Sequence, residues 1–493
     1  MKIWPLNCID FYKADHRRQY PEGTTLVYSN FTPRASRIPD INKVIFFGLQ
    51  YFVKEYLIDQ WNRNFFNVDE DIVVYKYKRR MDNALGKNAI DVEHIKYLWN
   101  KRHLPIVIKA IPEGTRVNIN SPVMTIYNTD PKCFWLTNYL ETHISAELWK
   151  MCNNATIANL FRQNFDRYAD ETGADKNFCS WQGHDFSARG MSGLYDQCMS
   201  GAAHLLSFTG TDTVHAIDFL EEYYNANSDH EFIGGSVPAT EHSVMCAAGE
   251  VNEYDTFKRL ITEVYPKGIV SIVSDSWDYW NVITNIIPSL KDIIIERYNR
   301  NPGSKVVVRP DTGNPVKVIC GDSDAVGKGA EFIPQVKGSI ECLWDTFGGT
   351  ITNKGYKVLH PSIGLIQGDS VNLTNQIEIL QGLKNKGFAS SNIVLGIGSY
   401  TYQYCTRDTL SFAMKATYAE VNGEGREIYK NPKTGSYKKS HKGLLRINED
   451  GSVKEQCSWE EESGGLLREV FRDGKLLVDD SLTEIRRRVQ NVA

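Results

Sequence analysis

The stretch Val306-Val307-Val308-Arg309-Pro310-Asp311-Thr312-Gly313-Asn314-Pro315 decides how this chain is read. Three consecutive β-branched residues without polar alternation are the pattern of a buried strand. The run stops abruptly at a guanidinium, a carboxylate and a Pro/Gly/Asn turn. Burying Arg309 and Asp311 without partners would be costly, so the strand end is expected to open into a polar pocket. A guanidinium suits phosphate oxygens, and a carboxylate beside it suits sugar hydroxyls or a metal. An Arg–Asp pair that merely closes a loop is the alternative, and this stretch alone does not choose between the two.

The same grammar repeats outward from it. Apolar runs ending in polar, mostly Gly-containing loops occur at 183–190, 208–213, 234–243, 269–276, 306–315, 363–370 and 393–399, mostly with a helical stretch after each. Seven such units predict parallel strands with crossover helices. A (β/α) barrel gathers its functional groups at the C-terminal strand ends, where these polar residues fall. A doubly wound open sheet, the rival, would concentrate them at one switch point. The expectation is an α/β protein: an irregular (β/α) barrel over 151–404, with a second, strand-rich α+β domain built from 1–150 and 405–493.

In those outer segments, 46–57 has helical apolar spacing, and 109–114 and 117–127 read as short strands with turns. Thr129-Asp130-Pro131 predicts a helix start running through Trp135, Leu136, Tyr139 and Leu140. Asp450-Gly451 and Asp473-Gly474 predict hairpins, and Ser481 with Glu484 a capping box. The lysine-rich stretch 430–442 predicts a solvated loop.

Composition narrows the class. A formal charge of −4 with 24% charged residues over 493 residues gives no support to a nucleic-acid or membrane-surface partner. No apolar run approaches membrane length, and residues 1–10 lack a signal core. Ten cysteines without a C-x-x-C pair point to reduced thiols, hence a cytoplasmic protein.

Several residues carry possible chemistry. Gly368-Asp369 and Gly396-Ile397-Gly398-Ser399 follow apolar strands, and successive glycine amides approach phosphate closely, although a tight turn needs the same residues. Phe186 offers a stacking face and Arg189 an anion contact in one loop; a core ring with a surface Arg is the plainer alternative. Asp212 either caps a helix or accepts a carboxamide N–H while repelling a carboxylate. His242, beside Glu241 at a helix start, suits phosphate chemistry as acid/base or nucleophile.

Taken in order, these motifs resemble one family. Asp10-Phe11-Tyr12-Lys13, Thr129-Asp130-Pro131, His184-Asp185-Phe186 with Arg189-Gly190, Gly210-Thr211-Asp212-Thr213-Val214, Ser236-Val237-Pro238-Ala239 with Glu241-His242-Ser243, Ser274-Asp275-Ser276, Arg309-Pro310-Asp311, Ile366-Gln367-Gly368-Asp369 and Thr406-Arg407-Asp408 are similar to the nicotinamide phosphoribosyltransferases, type II phosphoribosyltransferases. The match spans nearly the whole chain. It implies condensation of nicotinamide with 5-phosphoribosyl-1-diphosphate to nicotinamide mononucleotide and diphosphate, with Mg²⁺, stimulated by ATP through a phosphohistidine at His242.

The resemblance also implies roles. The base stacks between Phe186 and Tyr12 of a partner subunit, in a homodimer with shared sites, and Asp212 holds the carboxamide. Arg189 and Arg309 contact diphosphate, Asp311 lies near ribose, and Gly368, Asp369, Gly398 and Ser399 hold the 5-phosphate. Ser271, Asp275 and Arg407 belong to the substrate set. Asp10, Lys13, Arg34, Lys415 and Lys430 are candidates for diphosphate or partner-subunit contacts. His242, Asp311 and Arg309 are the catalytic candidates, with any metal held through diphosphate. Ser399-Tyr400 and Ala413 depart from the family's usual glycine run and hydroxyl, and the segment after Arg34 is shorter than in animal members. A nicotinate-using transferase, a non-catalytic nucleotide binder of the same fold and a metal-assisted hydrolase using Asp275 or Asp369 are the alternatives.

Overall fold

A computed structural model describes residues 4–39, 41–430 and 440–490. It divides into two compact units: 1–156 with 219–227 and 405–493, and 157–218 with 228–404. They are built on opposite kinds of sheet.

The second unit holds six strands, β1 (Gly183–Asp185), β2 (Gly210–Thr211), β3 (Ile269–Val273), β4 (Lys305–Arg309), β5 (Ile363–Gln367) and β6 (Ile393–Ile397). Every ladder among them is parallel, in the order β2-β1-β6-β5-β4-β3. The two outer strands do not end as edges. The extended segment 235–239 bridges Gly210 with Gly235 and Ser271 with Ala239, both in parallel sense. Thr211 N–H donates to the Gly235 carbonyl, and Ser271 N–H to that of Pro238, each at 2.9 Å. Pro238 has no N–H to extend the pairing, which is why this member contributes bridges rather than a full strand. The ring therefore closes with seven members in chain order, and the open-sheet alternative falls. Closure leaves no exposed edge and sets all seven polar loops around one rim.

The alternation along β4 shows how a valine run serves a barrel. Val306 and Val308 are buried, while Lys305, Val307 and Arg309 line the cavity inside the ring. The period-2 pleat thus aims the terminal guanidinium inward.

The first unit is a seven-stranded sheet, antiparallel throughout, in the order Glu424–Glu427, Phe412–Val421, Thr24–Pro33, Met124–Asn128, Ile106–Ala110, Arg468–Arg472, Lys475–Leu476. N- and C-terminal segments meet in its centre, where Asn30 lies opposite Lys415. Buried Phe31 stacks on Phe412 at 5.0 Å between ring centroids.

Several sequence expectations shift. The 150/151 boundary falls inside the helix Glu141–Thr172, which no Gly or Pro interrupts, and the units divide at 156/157. Residues 219–227 join the first unit, where Tyr224 donates to Glu113 and the Tyr223 carbonyl accepts from Gln50. The strand expected at 109–114 is Ile106–Ala110, since Pro112 cannot donate to a ladder. The run 117–127 is two strands, Arg116–Asn118 and Met124–Asn128. Thr129-Asp130-Pro131 opens only a short turn, capped by Asp130 on Lys132 N–H, before Leu136–Tyr139. The Asp473-Gly474 hairpin has both residues at positive φ, and Ser481 and Glu484 exchange capping hydrogen bonds. Of the loop expected at 430–442, residues 431–439 lie outside the described residues.

Candidate active site

The mouth of the ring collects the sequence candidates of the second unit. β1 delivers Asp185 and Phe186. Gly396 on the neighbouring β6 lies beneath the Phe186 ring so closely that any side chain there would collide with it. The ring is thereby held on one face, with Arg189 exposed on the short turn that follows.

Asp212 sits just past β2. Its Oδ1 accepts from His184 Nε2 at 2.9 Å and from the Ser236 hydroxyl at 2.5 Å. Burial would push this carboxyl up, but the His184 and Ser236 hydrogen bonds and the Arg309 charge outweigh it and hold Asp212 below the usual carboxylate range. An ionised Asp212 accepts only, so His184 carries its hydrogen on Nε2. Oδ2 makes no hydrogen bond among the described residues.

Beyond the segment 235–239, the ring member next to β2, His242 opens the five-residue helix His242–Cys246, and its Nε2 meets Asp275 Oδ1 at 3.0 Å. Asp275 Oδ2 accepts the backbone N–H of Asp311 at 2.9 Å. One buried carboxylate therefore orients the imidazole and anchors the turn after β4. Arg309 donates from Nη2 to the Thr240 carbonyl at 2.6 Å, while its buried Nε has no partner among the described residues. Asp311 faces Gly368, where a side chain would strike its Oδ1.

Ser399 opens a four-residue helix, Ser399–Tyr402, and packs on Gly190. Tyr402 of that turn reaches His204 Nδ1 at 2.7 Å, and His204 Nε2 reaches the Gly210 carbonyl at 2.9 Å. Burial pushes the His204 imidazole down to about 4, so it is neutral: Nε2–H donates to Gly210 and Nδ1 accepts from the tyrosine. This ties the Ser399 turn to the strand that carries Asp212. A cavity of about 400 Å³ runs down the ring from Phe186, Asp212, Ser236, Ser271 and Arg309 to the strand starts at Ile269 and Lys305.

The remaining candidates lie in the first unit. Tyr12, Lys13 and Lys415 line a cavity of about 430 Å³ there with His16 and Glu141. Lys13 is buried and ion-paired with Glu141. Burial pushes the Lys415 ammonium down; Glu141 opposes the shift, and the charges of Arg34, Lys13 and Arg407 add to it. Burial and Arg407 likewise lower Arg34, against Asp408. Four cations thus stand near one another, with Lys13 paired to Glu141 and Arg407 to Asp408. Tyr12 is 58% exposed, edge-on to His16, and Asp10 accepts from Thr142. Lys430 is exposed and shares no interaction with these residues among those described.

Known proteins match this arrangement. The model of the nicotinate phosphoribosyltransferase (NAPRTase) family matches residues 181–475, and that of the nicotinamide phosphoribosyltransferase N-terminal domain residues 6–85. The nicotinamide phosphoribosyltransferase of Acinetobacter baylyi is 54% identical over 99% of this chain and 97% of its own length. The chain belongs to the nicotinamide phosphoribosyltransferase family. The Mycoplasma pneumoniae nicotinamide phosphoribosyltransferase is 35% identical over 87% of this chain and 93% of its own. The crystal structure of human nicotinic acid phosphoribosyltransferase aligns with a TM-score of 0.56 at 15% identity, over 98% of this chain and 92% of that one, which shows the shared fold.

Within this family member, His184 and Ser236 were given no role from the sequence, and they orient Asp212. Asp275, expected in the substrate set, holds His242. Strand alternation was the available signal for His184: it precedes Phe186 by two, and the rings meet at 4.9 Å between centroids. Ser236 and Asp275 come from separate loops, and only the closed ring brings them to their partners.

Proposed function

We propose that the ring mouth transfers a phosphoribosyl group from 5-phosphoribosyl-1-diphosphate to the pyridine nitrogen of nicotinamide, forming nicotinamide mononucleotide and releasing diphosphate, as a step of NAD salvage. The observation that carries the choice of base is Asp212: an ionised acceptor, preset by His184 and Ser236, with one oxygen left for a carboxamide N–H. A carboxylate in the same place would meet like charge.

The pyridine ring stacks on Phe186. Its nitrogen attacks the ribose carbon as the bond to diphosphate breaks, so positive charge develops on the sugar and negative charge on the leaving group. Arg309, with an unpartnered Nε, and Arg189 face that leaving charge, and fixed donors count most where water is excluded. Asp311 accepts from ribose hydroxyls, and Gly368-Asp369 with Gly398-Ser399 cradle the 5-phosphate. Ser271 Oγ, buried and without a partner among the described residues, serves the base cavity.

Among the described residues no group of three or more His, Cys, Asp or Glu side chains is set to hold a metal. That fits Mg²⁺ held mainly by diphosphate oxygens, with Asp311 or Asp369 beside it. When bound, the ion would neutralise charge on the leaving group.

The Asp275 carboxylate accepts from His242 Nε2–H, leaving the Nδ1 lone pair as the nucleophile toward a phosphoryl group. This supports ATP stimulation through a phosphohistidine. The exposed Tyr12 ring supports a homodimer in which a second copy supplies the other stacking face, with Asp10, Lys13, Arg34, Arg407, Lys415 and Lys430 as further contacts to the phosphates. Mixing Tyr12→Ala and Arg309→Ala proteins would restore activity in such a dimer. Ten cysteines without a disulfide among the described residues support a reducing, cytoplasmic setting; no helix among the described residues is long and apolar enough to cross a membrane.

The test supplies nicotinamide or nicotinate with the diphosphate donor, with and without ATP, and measures the mononucleotide formed. Reaction with nicotinate in place of nicotinamide would overturn the assignment. Absence of ATP stimulation would remove the phosphohistidine alone.

A further inference from the structure

Beneath the groups that face the cavity lies a carboxylate that no ligand reaches. Asp185 ends β1 and is wholly buried. Its Oδ1 accepts from the Ser187 backbone N–H at 2.9 Å and the Ser187 hydroxyl at 2.7 Å. Its Oδ2 accepts from the Thr213 hydroxyl at 2.7 Å and the Thr211 hydroxyl at 3.4 Å. Its backbone carbonyl accepts the N–H of Asp212 at 3.0 Å.

These donors belong to two loops. Ser187 adjoins Phe186, while Thr211 and Thr213 bracket Asp212. A single buried charged acceptor thus pins both the stacking loop and the acceptor turn. Hydrogen bonds to an ionised group are short and strongly directional, and a buried network with every member satisfied stays in one geometry. Packing alone could hold these loops with an apolar residue, which would spare the desolvation of a charge. What the carboxylate adds is a fixed distance between them.

We propose that Asp185 is a positioning residue: it sets the spacing between the Phe186 ring and the Asp212 acceptor, and through that spacing the enzyme's selectivity among pyridine bases. The proposal rests on the base site described above; Asp185 itself touches no substrate.

Steady-state kinetics of the full-length enzyme with nicotinamide, nicotinate and the diphosphate donor test it. Asp185→Asn keeps the shape but turns an amide N–H₂ toward one of the two loops. It should raise the KM for nicotinamide by roughly tenfold or more, since displacements of about 1 Å carry such costs, and leave the donor's KM within about twofold. Ser187→Ala removes the hydroxyl half of the stacking loop's hold on Asp185, leaving its backbone N–H bond, and should weaken both bases alike. Thr213→Val removes the shorter of the two hydroxyl bonds from the acceptor turn to Asp185 and should lower the nicotinamide-to-nicotinate ratio.

Unchanged base KM and ratio in folded Asp185→Asn, or equal loss for base and donor with a lowered Tm, would assign Asp185 a purely structural role. If Asp185→Asn does not fold, the two single-loop variants decide: the split described supports the proposal, and identical effects overturn it. Asp212→Asn is the control. Should it leave the base ratio unmoved, the base site is misassigned and the proposal falls with it; should it move the ratio while all three other variants do not, only the role of Asp185 fails.

Discussion

Two histidine–aspartate pairs stand at the ring mouth, built alike and turned opposite ways. In His184–Asp212 the histidine side chain is 10% exposed and the aspartate 44%; in His242–Asp275 the values are 45% and 3%. The hydrogen bonds are nearly equal, at 2.9 and 3.0 Å. In each pair the buried member holds the exposed member in place, and the exposed member is the one open to a ligand. In the proposed reaction the same two side chains would make an amide acceptor where Asp212 faces out, and a phosphoryl acceptor where His242 does. Residue type sets what a pair can do, and burial sets which half does it.

Arg309 is the harshest test of this contrast, because it serves both sides: its Nη2 holds the Thr240 carbonyl two residues before His242, and its charge lowers Asp212. Arg309→Ala should cut kcat/KM by roughly 100- to 1,000-fold, the range for losing one donor to developing charge, with a far smaller change in Tm. An unfolded variant whose residual folded fraction keeps full activity would return Arg309 to a loop clamp.

Next in size, His242→Ala should abolish ATP stimulation and acid-labile phosphoryl incorporation while the preference for nicotinamide persists. Loss of that preference would mean the two pairs are not separate devices.

Asp212→Asn should do the converse, eroding discrimination against nicotinate by roughly 10- to 100-fold, the worth of one charge-assisted hydrogen bond, with ATP stimulation intact. A variant that keeps full selectivity would make Asp212 a helix cap and no more.

The smallest effect is in pH. The pKa of Asp212 is depressed in the folded state, so its contribution to stability and to base binding is present above the ordinary aspartate value of about 3.9 and is lost as pH falls through its lower folded value. The acidic limb of kcat/KM for nicotinamide should accordingly lie below that ordinary value, and His184→Ala should move it upward. An acidic limb that stays in place in His184→Ala would show that His184 does not hold the carboxylate.

Much of the barrel was legible. Each of the seven apolar runs ends where the ring places a member, because buried parallel strands need apolar residues and their exits need polar, turn-forming ones. Arg309 and Asp311 stood out since their chemistry conflicts with the valines before them. The segment 235–239 announced itself as a loop, not as the closing member, because Gly and Pro weaken ladder pairing and only the waiting edges of β2 and β3 make a bridge of it. The boundary near 150 was hidden inside an unbroken helix, whose sequence carries no mark of where one set of contacts gives way to another.

At the site, Asp212, His242 and Asp275 were all candidates from the sequence, but that Asp275 pairs with His242, and His184 and Ser236 with Asp212, was not legible there. Phe186, Asp212 and His242 follow turn signals in their own loops; Ser236 and Asp275 act on residues 24 and 33 positions away. The amino-acid sequence by itself determined strand periods, turn positions, the chemical identity of the polar ends and, through ordered motifs, the family. The tertiary structure alone decided which carboxylate is exposed, which imidazole nitrogen carries its hydrogen and that the ring closes. Those properties depend on what lies across space from a residue, and desolvation and hydrogen-bond partners are set by neighbours that local sequence does not contain.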